Sequence, residues 1–134
     1  GTDGPASNNC LDMFREMFLV TALAKYREND ASAVDALEVL KMATIGGAKA
    51  MNLTDCDVLA EGKEADIIMI DLNQPNMQPI HNIQKNLVYS GSKQNVKLTM
   101  VAGKILYENG EFFIGTDAYK IYEKANDIAE RIVK

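Results

Sequence analysis

The chain has 134 residues, 47% hydrophobic and 25% charged, with a formal charge of −5, which suits one domain with a sizeable core and excludes a disordered composition. Acidic and basic residues are interspersed and no Lys/Arg run occurs, so the footprint of a nucleic-acid-binding surface is missing and no nucleic-acid partner is expected. No apolar run approaches the roughly 18 residues of a spanning helix, and Cys10 and Cys56 have no Cys or His at ligand spacing, so no membrane partner is expected and the two thiols suit a reducing cytoplasm.

The chain opens on Gly1-Thr2-Asp3-Gly4-Pro5-Ala6 without a methionine or a leader, which reads as the start of a fragment. The spacing predicts a long helix over 8–28, with Ser7 or Asn8 as N-cap. Leu11, Phe14, Phe18 and Ala22 form one apolar face, and Met13, Met17, Val20 and Ala24 form a second. A helix apolar on two faces calls for cover on both sides, and 134 residues offer little protein to supply it. Apolar surface left open in the chain by itself would favour self-association or a homo-oligomer.

After the polar break at Arg27 to Asp30, Ser32 and Asp35 resemble a capping box. A helix over 33–42 is predicted to bury Val34, Leu37 and Leu40. A separate short helix over 44–51, capped by Thr44, contains Gly46-Gly47; glycines cost a helix about 1 kcal/mol each, so the pair marks close packing or a break. Strand patterns follow. Four apolar residues in a row within 65–71 predict a strand covered on both faces. Residues 73–79 hold two prolines and read as loop, and 86–89 read as a short strand. Val96, Leu98 and Met100 alternate with polar residues, as in a half-exposed strand. Ala102-Gly103 and Asn109-Gly110 are turn signals that fold 96–114 into hairpins. Thr116 or Asp117 caps a last helix, with Ala118, Ile121, Ala125, Ile128 and Ile132 on one face. Helices followed by strands give the α+β class.

The inventory of chemistry-bearing residues is short. His81 is the one histidine, so no His/His metal pair and no ordinary zinc site can be completed; it reads as a loop histidine bonded to backbone. No Gly-x-Ser-x-Gly elbow is present, and Gly46-Gly47-Ala48-Lys49 lacks phosphate-loop spacing. What remains is Asp3 between glycines, followed by polar residues that open a helix. By itself that pattern is read as a turn aspartate and a helix cap.

Six motifs in order carry a resemblance that spans nearly the whole chain. Gly1-Thr2-Asp3-Gly4 with Ser7-Asn8-Asn9-Cys10-Leu11-Asp12-Met13 resembles the segment closing strand eight of the amidohydrolase barrel, in the branch of S-adenosylhomocysteine/5-methylthioadenosine deaminases and chlorohydrolases. Residues 43–51, Leu59 to Ile67, Pro79 to Asn82, Asn86 to Tyr89 and Val101 to Lys104 match later family segments in the same order. The resemblance implies the end of a TIM-like (β/α)8 barrel over 1–55, the C-terminal strands of its flanking β-sandwich over 56–115, and a final helix over 116–134.

It further implies one divalent ion, zinc or iron, held in the whole enzyme by histidines of other barrel strands and by Asp3. Asp3 would be both metal ligand and catalytic general base in hydrolytic deamination or dechlorination of a purine-, pyrimidine- or triazine-like substrate. Ser7 and Asn8 would stand on the substrate side. The chain by itself, without the histidines, is expected to be metal-free and inactive. A non-catalytic binding or scaffold β domain, or a homologue that has lost its ligands, are the alternatives that the residues leave open.

Overall fold

A computed structural model describes residues 1–133. Helices and strands are both present as expected, but the predicted unbroken run of strands is interrupted by a helix over 83–89. The first helix, α1 (Met13–Glu28), starts five residues later than the predicted boundary. Its N-cap is Asp12, whose carboxylate accepts from the amides of Phe14 and Arg15, and not Ser7 or Asn8. A carboxylate here satisfies orphan amides and meets the positive end of the helix dipole. Asn29, in the left-handed region, closes the helix.

Asp35, not Ser32, caps the next helix, α2 (Ala36–Lys41), by accepting from the Leu37 amide. The predicted separate helix over 44–51 is instead a continuation: a π-helical turn at Met42–Gly46 leads directly into α3 (Gly47–Ala50). Thr44 does not cap; its hydroxyl bonds back to the Leu40 carbonyl at 2.8 Å, inside the helix. The helix buries Ala36 and Val39 most fully; the predicted Val34 and Leu40 pack partly buried against the same core, while Leu37 is exposed.

The largest departure is at 86–89. Leu87-Val88-Tyr89 has strand-forming residues, yet Ile83–Tyr89 is a helix, α4. Asn82 caps it by accepting from the Lys85 amide at 3.0 Å, and Val88 is driven into the core made by Phe14, Met17, Ala36 and Val39. Packing on two other helices, α1 and α2, outweighs a propensity of under about 1 kcal/mol per residue. Gly91, just after α4, admits no side chain: a Cβ there would stand 2.5 Å from the Leu87 carbonyl and 2.7 Å from the Phe14 ring.

Strands β1 (Ile67–Ile70), β2 (Val96–Val101), β3 (Lys104–Glu108) and β4 (Glu111–Phe112) form one antiparallel sheet in that order. The two turn signals hold. Ala102-Gly103 and Asn109-Gly110 all have positive φ, the geometry that matches the twist of a two-residue hairpin. Pairing of Met69 with Leu98 and of Ile70 with Val96 is separated by a bulge. This bulge turns Ile70 and Val96 onto the helical core. The predicted two-sided cover of β1 is not met within this chain: Ile68 is 53% and Met69 57% exposed, and β1 is a sheet edge.

Asp117 caps the last helix, α5 (Ala118–Ile132), which buries no residue in this chain. On α1 the buried stripe is Phe14 from one predicted face, Met17 from the other and Thr21 from neither, while Phe18, Val20 and Leu23 stay open. No described helix is long and apolar enough to cross a membrane.

Candidate functional site

Residues 1–12 form a loop that leads into α1, and Gly4 is its hub. The Gly4 amide donates to Asp3 Oδ1 at 2.7 Å. The Gly4 carbonyl accepts from the Ser7 amide at 3.1 Å, the Asn8 amide at 2.9 Å and the Ser7 hydroxyl at 3.1 Å. Asp3 has φ 58°, a left-handed conformation that costs a side-chain-bearing residue about 1 kcal/mol and that aspartate tolerates better than most.

The Asp3 carboxyl is held below its ordinary value, first by the Gly4 amide and next by the Ser7 hydroxyl. The hydroxyl's placed bond is to the Gly4 carbonyl, and rotation about its C–O bond brings it to the carboxylate. The amide is fixed by the backbone, so its contribution is the firmer of the two. Asp3 is exposed, and only Oδ1 is engaged by protein among the described residues. The site thus offers an ionised carboxylate with a free, hard oxygen, a donor type suited to a divalent ion. No group of three or more His, Cys, Asp or Glu able to hold a metal occurs among the described residues, so Asp3 fits a metal as one ligand of a larger set.

Ser7 is exposed beside Asp3. Asn8 is not free: its Nδ2 donates to Glu16 Oε1 at 2.6 Å and its Oδ1 accepts from the Cys10 amide at 3.2 Å. His81 lies exposed in the loop before α4 and joins no ligand cluster. The wider clefts lie elsewhere. One of about 480 Å³ runs between Ile45 and Ile67, and one of about 830 Å³ lies along Val20, Leu23 and Val34; neither is lined by Asp3.

The later motifs turn out to be fastenings. Lys63 meets Asp57 Oδ1 at 2.8 Å and donates to the Thr54 carbonyl. The Asp57 oxygen is shielded from solvent and stands at hydrogen-bonding distance from the Lys63 ammonium. Each partner favours the other's charge, with Asp57 lowered and Lys63 raised. Asp66 accepts from the Ala102 amide at 2.7 Å and pins the β2–β3 turn. Burial, then the carboxylates of Asp66, Glu64 and Asp57, pushes the Cys56 thiol up, the environment of an unreactive cysteine.

Sequence reasoning missed a side-chain network at the joint between helices and sheet. Asn95 is 2% exposed; it exchanges bonds with Asn76 at 2.8 and 3.1 Å and accepts from the Ser92 amide at 2.9 Å. Asn76 also reaches the Ser90 carbonyl, and Asn86 reaches the Met77 carbonyl. The available signal was the recurrence of Asn in a stretch read as loop and strand. The Glu16 partner of Asn8 was hidden by placing both residues on one helix.

The amidohydrolase family model matches residues 1–106. The chain is 43% identical over 131 residues to 5-methylthioadenosine/S-adenosylhomocysteine deaminase 1 of Archaeoglobus fulgidus, covering 98% of this chain and 31% of that protein. It superposes with TM-score 0.92 and 38% identity on an adenosine deaminase from Xanthomonas campestris with bound zinc, over 98% of this chain and 30% of that one. An atrazine chlorohydrolase from Arthrobacter aurescens complexed with zinc gives TM-score 0.74 at 26% identity, over 85% and 25%. The chain therefore spans under a third of the relatives it matches. Taken with the ordered motifs and the Asp3 turn, these likenesses settle the family: this chain belongs to the amidohydrolase family.

Proposed function

We propose that this chain supplies the C-terminal part of a metal-dependent amidohydrolase that deaminates or dechlorinates a small heterocycle by hydrolysis. In this reading residues 1–55 close a (β/α)8 barrel, 56–115 contribute to a flanking β-sandwich, and 116–134 add a terminal helix. The observation that carries it is Asp3: an exposed carboxylate, fixed by the Gly4 amide, with one oxygen open. The open sides of β1 and α1 agree with further protein packing there.

A divalent ion, zinc or iron, supplies Lewis-acid activation of water when bound. Asp3 Oδ2 would be its ligand from this chain, with the remaining ligands from other strands. Asp3 also takes the proton of the attacking water, which is general-base work. Like any exposed aspartate it is anionic at neutral pH, and the Gly4 amide favours that form further. Water adds to the ring carbon, and the exocyclic amine leaves as ammonia, or the halide as chloride. Ser7, exposed one turn from Asp3, is the side chain placed to meet the substrate or leaving group. Asn8 has both polar ends occupied, which favours holding the loop over touching substrate. The chain by itself lacks histidine ligands and is inactive in this reading.

The test is ammonia release from 5-methylthioadenosine and S-adenosylhomocysteine by the full-length protein loaded with zinc. Asp3→Asn should lower kcat by about 100-fold or more and reduce bound zinc, while the 134-residue chain should release no ammonia. Full activity in Asp3→Asn would remove Asp3 from the chemistry.

A further inference from the structure

We infer that Asn8 and Glu16 act as a pair of positioning residues that fix the Asp3 turn to the first turn of α1. The inference rests on the proposed role of Asp3. It starts from an asymmetry in how the loop is held. Apart from the Thr2 hydroxyl, which donates to the Asp3 carbonyl, the bonds within 1–8 converge on Gly4: its amide orients Asp3, and its carbonyl gathers the Ser7 and Asn8 donors. Among the described residues, nothing in that turn except the Asn8 side chain hydrogen-bonds to the helical layer.

The Asn8 side chain is what joins the turn to the body of the protein. Its Nδ2 donates to Glu16 Oε1 at 2.6 Å, a short, charge-assisted bond, and its Oδ1 holds the Cys10 amide at 3.2 Å. The Asn8–Glu16 bond is part-buried, which strengthens it relative to a surface contact. Glu16 is half-buried in the first turn of α1. It lies between the Asp12 cap and Met17, on a helix whose buried stripe is Phe14, Met17 and Thr21, with the Phe14 ring against Gly91. Position therefore passes from the core through α1, Glu16, Asn8 and Gly4 to the carboxylate of Asp3. A ligand carboxylate needs such support, since loss of an outer partner commonly costs 10–100-fold in metal affinity or activity.

One bond at each polar end of Asn8 goes into this link, so the side chain is oriented by Glu16 and the Cys10 amide. The pairing also defines the substitutions that separate it from mere packing. Asn8→Asp keeps size and the Cys10 acceptor but removes the donor and sets two carboxylates together. Combining it with Glu16→Gln restores a bond of reversed polarity, because the new amide donates to the new carboxylate.

Two readouts test the pair. In the 134-residue chain, Asn8→Asp should speed amide exchange at Ser7 and position 8 by about 10-fold, and the double variant should recover it. In the full-length protein, zinc loss to a chelator should quicken by about 10-fold or more in Asn8→Asp, with kcat falling and KM nearly unchanged; the double variant should restore zinc retention and most of kcat. If Asn8→Asp keeps its zinc and kcat while Asp3→Asn loses both, the link is refuted and the role of Asp3 stands. If Asp3→Asn loses neither, the role of Asp3 fails and the inference falls with it, whatever the exchange data show. A double variant no better than Asn8→Asp also refutes the pairing.

Discussion

The joint between helices and sheet and the loop that carries Asp3 use the same chemistry to opposite ends. At the joint, Asn95, Asn76, Asn86 and Asp71 satisfy one another and the surrounding backbone. In the loop, Gly4 and Asn8 are satisfied, but Asp3 keeps an oxygen with no protein partner among the described residues. A closed polar network fixes a fold, because any loss leaves a buried group unpaired. A carboxylate held at one oxygen and open at the other is what a ligand site needs. The difference separates fastening residues from candidate chemistry better than their proximity to a cleft.

Substitutions at the joint should break the fold first. Asn95→Ala would strip the Ser92 amide and the Asn76 Nδ2 of their acceptor and is expected to destabilise by about 3 kcal/mol. A urea midpoint that shifts at unchanged slope measures this, and a loss below about 1 kcal/mol would mean water replaces the network. Gly91→Ala comes next, at about 2 kcal/mol. The Phe14 ring can turn away, but the Leu87 carbonyl 2.5 Å from the new Cβ is backbone and must be displaced by moving α4. An unchanged melting temperature would show that α4 is not seated tightly on α1.

The smallest effect is in acid. Asp71 is held below its ordinary value of 3.8, first by the Gln74 side chain and then by the Asn73 amide, with Lys97 adding attraction. A carboxylate with a lowered folded pKa contributes stability that is complete above its unfolded value and is lost as pH falls through the folded one. Asp71→Asn should therefore narrow the stability difference between about pH 5 and about pH 2 relative to the unsubstituted protein. Parallel acid melts for the two would show instead that Asp71 acts only through its backbone bond to Asn95.

Much of this architecture could be read without coordinates. The hairpin turns at Ala102-Gly103 and Asn109-Gly110 and the Asp117-capped last helix follow from local rules, since positive φ and side-chain capping are decided within a few residues. Asp3 stood out because so few residues able to do chemistry are present. The cap of α1 and the strand expected at 86–89 were misread where contacts beyond immediate neighbours select among local options. Asp12 rather than Ser7 or Asn8 starts α1 because Gly4 draws Ser7 and Asn8 into its own turn. Asn8 looked like a cap or a substrate contact because its partner, Glu16, lies a helical turn inside α1.

The amino-acid sequence thus determined the hairpins, the family motifs and the one carboxylate set between glycines. Tertiary structure alone decided that Val88 belongs to a helix, that Asn95 closes a buried network, and that the Asp3 turn is moored through Asn8 to Glu16. Backbone turns and caps depend on neighbours a few positions away, whereas burial and side-chain pairing depend on which distant elements meet. Those meetings outweigh propensities that are individually worth under about 1 kcal/mol.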